Sequence, residues 1–397
     1  MKKILFLGGA PTQIPPIKYA LKEGHYVITC DYLPDNPGHR LSNQYYNIST
    51  TDKDAVLEIA QTENIDGIVA YASDPAAPTA AYVAEKMGLP GNPYRAVEIL
   101  ARKDLFRKFL ADNHFNVPRS KSFSDSQDAK KWLSEIGVPA FVKPVDSSGS
   151  KGVTHIQNHD DLESAFEYAL QFSREKKVIV EEKIIKTGYQ VDSDIFMLNG
   201  EVVSCTWGNQ HQDSECHPYA PVAISYPSVL PDYIQQKAKS VINLILNNLG
   251  FNSGAFNVEF VVDKNDEVWV IEIGPRNGGN LIPQVLKYAT GVDMISATVD
   301  VALGKMPKQM MRNDVEGCWS SLIVHSRSTG TLKEISLSER AEKYIVEKEI
   351  YAKPGDKVNK FSGSHDTIGM MILKYPNKED MLSILDNMEK DIQVIVD

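Results

Sequence analysis

The sequence predicts an α/β amino-terminal unit followed by α+β segments, and three observations carry that reading. Up to about residue 95, short apolar runs alternate with amphipathic stretches: KKILFLGG, PPIKYALKEG, HYVITCDY, DKDAVLEIAQTEN, IDGIVAY and TAAYVAEKMG. Such alternation implies a parallel sheet flanked by helices. The second half is dominated by strand-like runs. The final stretch, residues 306–397, carries CWSSLIVHSRSTGTLKEI and EIYAKPGDKVN and then an amphipathic helix within SHDTIGMMILKYPNKEDMLSILDNMEKDI, which reads as an α+β cap packed on the core. A chain of 397 residues is long enough for two or three domains with a sizeable core.

Taken in order, MKKILFLGGAP has the charge and apolarity of a signal peptide. Its apolar stretch is too short, however, and runs directly into Gly8, Gly9 and Pro11, so it reads as a first buried strand. The turn Gly8-Gly9-Ala10-Pro11-Thr12-Gln13 lacks G-x-G-x-x-G, which argues against a dinucleotide site. Asp31 ends the second strand and reads as a cap on DYLPDNPG rather than as a ribose ligand. ASDPAAPTAAY marks a loop and a helix start near Asp74. Residues 96–125 read as a crossover helix and linker, 125–190 as a small subdomain, and 191–305 as a larger, strand-rich half. With 52 acidic against 42 basic side chains, the formal net charge is −10, so no nucleic-acid footprint is expected. No run reaches membrane-spanning length. The four cysteines (Cys30, Cys205, Cys216 and Cys318) form no C-x-x-C pair, which points to a reducing cytoplasm.

Three segments carry chemistry. The first is FNVEFVVDKNDEVWVIEIGPRNGGN, residues 256–280, which reads as a hairpin whose strands are joined at Asp263–Asp266. Each strand embeds one acid in apolar surroundings, Glu259 and Glu272, and a charge so placed is costly unless paired. Facing carboxylates suit a divalent cation of the Mg2+ or Mn2+ kind. Arg276 and the glycines at 278 and 279 follow, suited to a phosphoryl group. The competing reading is a hairpin with incidental acids, one paired to Arg276. The second segment, AFVKPVDSSGSKGV, delivers Lys143 on a strand and then breaks into Ser147-Ser148-Gly149-Ser150-Lys151-Gly152. Such a loop can turn backbone N–H groups towards anionic oxygens, without Walker A spacing. In the third, VIVEEKIIKTGYQVDSD, an apolar strand ends at Glu181-Glu182-Lys183-Ile184, where exposed backbone could read an adenine edge; the duller reading is a solvated acid pair.

These segments, in this order, resemble the ATP-grasp superfamily over roughly residues 1–305. The resemblance implies a Rossmann-like preATP-grasp domain (1–95), with Gly9 and Gln13 turned towards substrate. It also implies an ATP-grasp domain of two α+β subdomains (96–305) and a C-terminal α+β domain (306–397) similar to that of biotin carboxylase-like members. It implies binding of ATP with Mg2+ or Mn2+. Lys103, in ARKDLFRKFL with Arg107 one turn on, and Lys143 would be the nucleotide lysines. Ser147, Ser148, Gly149, Ser150 and Gly152 would form the lid over the phosphates, and Glu181, Glu182, Lys183 and Ile184 the adenine hinge. Glu259 and Glu272 would be the metal acids, and Arg276 the catalytic arginine steadying the transferred phosphate. This chain departs from the pattern twice. Gln190 stands where members often have a ribose-binding Glu, and an amide can still bond a hydroxyl. Gly274 stands in EIGPR where many members have E-I-N-x-R, which removes a metal ligand that Asn257 or Asn277 would have to replace.

The implied activity is a carboxylate–amine ligase working through an acyl phosphate, with small-molecule acid and amine as partners, and a homodimer is one assembly open to it. The alternatives are a carboxylase activating bicarbonate and a non-catalytic ATP-binding regulator. The stretch GNQHQDSECHPYAPV, residues 208–222, reads as a loop over substrate rather than as zinc ligands, although it holds His211, Cys216 and His217. His325 and Arg327 read as structural, with contact to a substrate carboxylate as the alternative.

Overall fold

In the computed structural model, which describes residues 1–308, 310 and 314–397, the alternating amino-terminal runs form a parallel sheet. Its strands are β1 (Lys3–Leu7), β2 (Tyr26–Cys30), β3 (Gln44–Tyr46) and β4 (Gly67–Val69), in the order β3-β2-β1-β4. Helices α1 (Ile14–Lys22), α2 (Lys53–Glu63) and α3 (Ala77–Met87) make the connections. All but the first residue of β1 are fully buried, as a strand covered on both faces requires. Asp31 caps its own turn, accepting from the Leu33 N–H and the Asn36 amide. Gln13, expected to turn towards substrate, is engaged within its own domain. It is buried, with its amide accepting from Ala10 N and donating to Tyr71 O, because a tight turn leaves those backbone groups without other partners. Gly9 lies against the His39 ring, where a Cβ would come within 2.3 Å.

Two short helices, α4 (Tyr94–Ala101) and α5 (Lys103–Asp112), cross to a four-stranded antiparallel sheet in the order β5-β8-β6-β7. It comprises β5 (Ser120–Phe123), β6 (Ala140–Pro144), β7 (Thr154–Ile156) and β8 (Val178–Glu182), backed by α6 (Ser126–Ile136) and α7 (Leu162–Gln171). The remaining half is one large sheet. It contains β9 (Gln190–Leu198), β10 (Glu201–Cys205), β11 (Gly208–Gln212), β12 (Pro221–Tyr226), β13 (Gly254–Val262) and β14 (Val268–Gly274). Helices α8 (Asp232–Asn248), α9 (Ile282–Thr290) and α10 (Met294–Ala302) cover it.

The carboxy-terminal segment is α+β, as read from sequence. Its strands are β15 (Cys318–Val324), β16 (Gly330–Leu337), β17 (Ile345–Ile350), β18 (Lys357–Val358), β19 (Gly369–Tyr375) and β20 (Ile392–Val396), with helices α11 (Glu339–Tyr344) and α12 (Lys378–Leu385). Three of its strands continue the large sheet, giving the order β14-β13-β9-β11-β12-β15-β19-β17, while β18-β16-β20 forms a small sheet beside it. Residues 208–212 were expected in a loop but form β11. Their polar side chains find partners inside: the Asn209 amide donates to Ser225 and Pro227 O, and its oxygen accepts from Val229 N. Tertiary pairing thus overrides a composition that reads as loop. Among the described residues no helix is long and apolar enough to cross a membrane.

One buried ion cluster ties the small sheet to the large one. Glu181 on β8 accepts from Arg107 Nε of α5 at 3.0 Å and from the Lys143 ammonium on β6, and Arg107 Nη1 donates to Ile271 O of β14 at 2.9 Å. Burial pushes the Glu181 carboxyl up, but the charges of Arg107 and Lys143 outweigh it and hold the group down at about 2. Removing the shared anion would leave two buried cations facing each other. Glu181→Ala is therefore expected to destabilise the fold by about 3–5 kcal/mol, measured by urea denaturation. A loss below about 1 kcal/mol would mean that water reaches the cluster and screens it.

Candidate active site

The site grows from strand register. The β13–β14 hairpin pairs Glu259 with Glu272 directly, as the sequence predicts, and β9 adds Asp192 on the other side of Glu259. Three carboxylates therefore stand in one row across three strands. Side chains two residues apart share a sheet face, so the next row on that face is Asp194, Asn257 and Gly274. The Asn257 amide donates to Asp192 Oδ1 at 2.8 Å and to Asp194 Oδ1 at 3.1 Å, and Asp194 also receives Gly278 N at 2.8 Å. Asp194 thus anchors the loop after the hairpin, and Asn257 bridges the two rows.

Carboxylates this close raise one another. Burial, then Asp192 and Glu272, push the Glu259 carboxyl up to about 8. Burial is the main cause that lifts Asp192 to about 6 and Asp194 to about 7. On Glu259 the close partner is a neutral amide: Gln190 Nε2 donates to its Oε2 at 2.6 Å. Gln190, expected at the ribose, opens β9 and lies next to the acid row through this bond. This row of hard oxygen donors short of positive charge fits a Mg2+- or Mn2+-type ion held by Glu259 and Glu272, with Asp192 beside them.

The cations arrive from other elements. Lys103, at the first turn of α5, reaches Glu272 Oε2 at 3.2 Å and Ser147 O at 2.8 Å, so it joins the acid row to the lid loop. Arg276 is not paired to either hairpin acid. It donates from Nε and Nη2 to Asp74 at 2.7 and 2.6 Å, and from Nη1 to Asn277 O at 3.1 Å. Asn277 in turn is fully buried and accepts from Thr298, so it is not turned to replace a ligand missing at 274. Lys143 lies beside Glu181 under the Phe141 ring.

Two of the hinge residues have duties the sequence did not reveal. Glu181 is not a solvated acid. Its side chain belongs to the buried cluster, and its backbone lies between β5 and β6. Glu182 accepts from Arg119 N and Nε at 2.9 and 2.7 Å, which leaves Lys183 and Ile184 as the strand-end residues beyond the ladder. Residues 147–152, expected from the sequence as the lid, are rooted by Asp146, which receives Ser173 Oγ and the N–H groups of Arg174 and Glu175. Gly149, Ser150 and Gly152 have φ of +65°, +59° and +73°, a left-handed backbone that glycine adopts freely. Ser150 Oγ donates to Tyr219 O at 3.2 Å, so the 213–220 loop borders the lid.

The His and Cys residues of the 208–222 stretch, read from sequence as a loop over substrate rather than as zinc ligands, are divided between separate contacts. His211 lies on β11 between Asp386 and Ser225, away from Cys216. Asp213, Cys216 and His325 do converge, but Arg327 Nε sits on the Asp213 carboxylate at 2.7 Å and supplies its counter-charge. His325 and Arg327 therefore clamp the start of this loop.

Comparison with known proteins agrees with this geometry. Residues 108–280 match the ATP-grasp domain, and residues 322–397 match L-amino acid ligase C-terminal domain 2. The formate-dependent phosphoribosylglycinamide formyltransferase of Prochlorococcus marinus is 30% identical over 287 residues, covering 69% of this chain and 70% of that protein. Among solved structures, an L-amino acid ligase from Bacillus licheniformis superposes with a TM-score of 0.84 at 19% identity, over 100% of this chain and 99% of that one. The biotin carboxylase domain of the Hydrogenobacter thermophilus 2-oxoglutarate carboxylase, solved with MgADP and bicarbonate, gives 0.76 at 16% identity, over 100% and 91%. With the acid rows, lysines and lid in one place and these matches in sequence, the chain belongs to the ATP-grasp superfamily.

Proposed function

We propose that this protein is an ADP-forming ligase that activates a carboxylate with ATP and joins it to an amine, and that the acid is an amino acid. The observation that carries the reading is the convergence of the Asp192–Glu259–Glu272 row with Lys103 and, one row away, Arg276. The match of residues 322–397 to an L-amino acid ligase domain supports the choice of acid.

The chemistry is transfer of the ATP γ-phosphoryl group to a carboxylate oxygen, with ADP leaving. The amine nitrogen then attacks the acyl carbon, and phosphate leaves with the C–O electrons. Both reactants of the first step are anionic, so the protein must offset charge that shifts during transfer. Lys103, Lys143 and Arg276 supply fixed positive charge. A divalent ion held by Glu259 and Glu272 would add charge neutralisation at the phosphate oxygens. The lid of residues 147–152, packed on Tyr219, would keep water from the acyl phosphate. No side-chain nucleophile is called for.

The decisive assay is ADP release from Mg-ATP across a screen of amino acids, formate and bicarbonate, each with and without pooled amines. Turnover that needs both an amino acid and an amine is the expected result. Turnover with bicarbonate alone would select a carboxylase instead, and the absence of nucleotide binding would end the reading. In the same assay Arg276→Ala should lower kcat by roughly 10²–10³-fold, and near wild-type turnover would refute its role.

The acid row adds a pH signature. Glu259, Asp192 and Asp194 titrate higher in the folded chain than in the unfolded one, so the native state holds the extra protons. Their contribution to metal-free stability is then largest below the ordinary carboxylate range, falls as pH rises from that range to about 8, and levels off above it. An ion that binds the ionised row offsets this loss, so the rise in Tm on adding Mg2+ should grow between pH 6 and 8 and shrink in Glu259→Gln. An Mg2+ effect independent of pH would detach these acids from the metal.

A further inference from the structure

The second row of the site, Asp194–Asn257–Gly274, stops short. Gly274 contributes no side chain, and the space beside it is filled from a distant part of the sequence. A Cβ built on Gly274 would lie 2.8 Å from Asp74 Oδ1, 3.0 Å from Arg276 Cζ and 3.1 Å from Arg276 Nε. The 2.8 Å contact is one that real Cβ atoms essentially never show, so a side chain at 274 would force the Asp74–Arg276 pair out of its observed position. The φ of Gly274 is not in the left-handed region, so the glycine is explained by space rather than by backbone conformation.

Asp74 is delivered with care. It opens the turn that leads into α3 of the amino-terminal unit, two residues after Ala72, whose φ of +51° is a strained conformation for a residue with a Cβ. Its two oxygens take Nε and Nη2 of Arg276 in a fork, the geometry that fixes a guanidinium in both position and plane. The Ser148 hydroxyl of the lid is near enough to the same carboxyl to help hold it down. Burial alone would raise the Asp74 carboxyl, but Arg276 outweighs it and keeps the acid ionised. One carboxylate from the first domain thus meets the arginine, the lid and the gap at 274.

We propose that Asp74 is a positioning residue for Arg276, and that Gly274 is its structural partner, bare so that the Asp74 carboxylate can occupy the end of the row. Arg276 keeps N–H groups beyond the fork and the Asn277 carbonyl with which to meet an incoming phosphoryl oxygen, and Asp74 aims them. The site is therefore complete only when the amino-terminal unit is docked on the large sheet. This rests on the phosphoryl-transfer reading above.

The test uses the full chain and calorimetry. Mg·ADP binding comes first, then orthovanadate, a mimic of the transferred phosphoryl group, at saturating Mg·ADP. The variants are Asp74→Ala, the milder Asp74→Asn, Gly274→Ala and the double Asp74→Ala/Gly274→Ala. Each single variant is expected to bind Mg·ADP within about threefold of wild type and vanadate at least about tenfold more weakly, as loss of a buried, charge-assisted contact implies. The double variant should lose no more than Asp74→Ala alone, because both changes break one contact. Vanadate binding within about twofold of wild type in Asp74→Asn and Gly274→Ala, multiplied losses in the double variant, or a wild type that takes Mg·ADP but no vanadate would each overturn the proposal. A wild type that binds no Mg·ADP would overturn the phosphoryl-transfer reading itself, and this proposal with it.

Discussion

The register of β13 between β9 and β14 is the constraint on which the rest of the site depends. A slip of one residue would turn Glu259 and Asn257 to the opposite face and bring Val258 and Phe260 to the acid rows. That slip would bury charge in the apolar layer beneath α8, where Val258, Phe260 and Val262 are now packed. The hydrophobic core therefore enforces a polar arrangement that is unfavourable by itself. Acids that repel one another stand together because the alternate residues of the same strands are held below the sheet.

Much of this was legible in the sequence, for a physical reason. A hairpin is local: its turn, its alternation and the spacing of its two acids lie within one stretch, so Glu259 opposite Glu272 could be read directly. Lys143 and the Ser/Gly loop announce themselves in the same way, by a strand that ends at a proline. Asp192 and Asp194 were missed although a signal existed. They are two residues apart in a strand otherwise rich in apolar side chains, the same pattern that singled out Glu259.

Other features had no local signal. Asp74 and Arg276 are separated by 202 positions, and nothing around either names the other. Glu181 looks like a surface acid at a strand end, and only the approach of α5 makes it the centre of a buried cluster. Strand β11, with Asn, Gln and His in succession, reads as loop because its partners come from β9, β12 and α12. In each case the side chain's environment is set by tertiary contact, and local pattern reports only the half of it that neighbours in sequence supply.

The way the carboxy-terminal strands enter the large sheet bears on how the chain can be divided. Strand β12 gives one flank to β11 and the other to β15, and Val222 and Ala223 pack with Leu322, Val324 and Met371. A fragment ending near residue 305 would keep every acid and lysine of the site, yet it would present β12 as an open edge, with a row of unpaired N–H and C=O groups above apolar side chains. Such an edge is a template for pairing with other chains. The last strands thus cover the edge of the large sheet, and dissecting this protein into an ATP-binding piece and a tail would trade an enzyme for an aggregate.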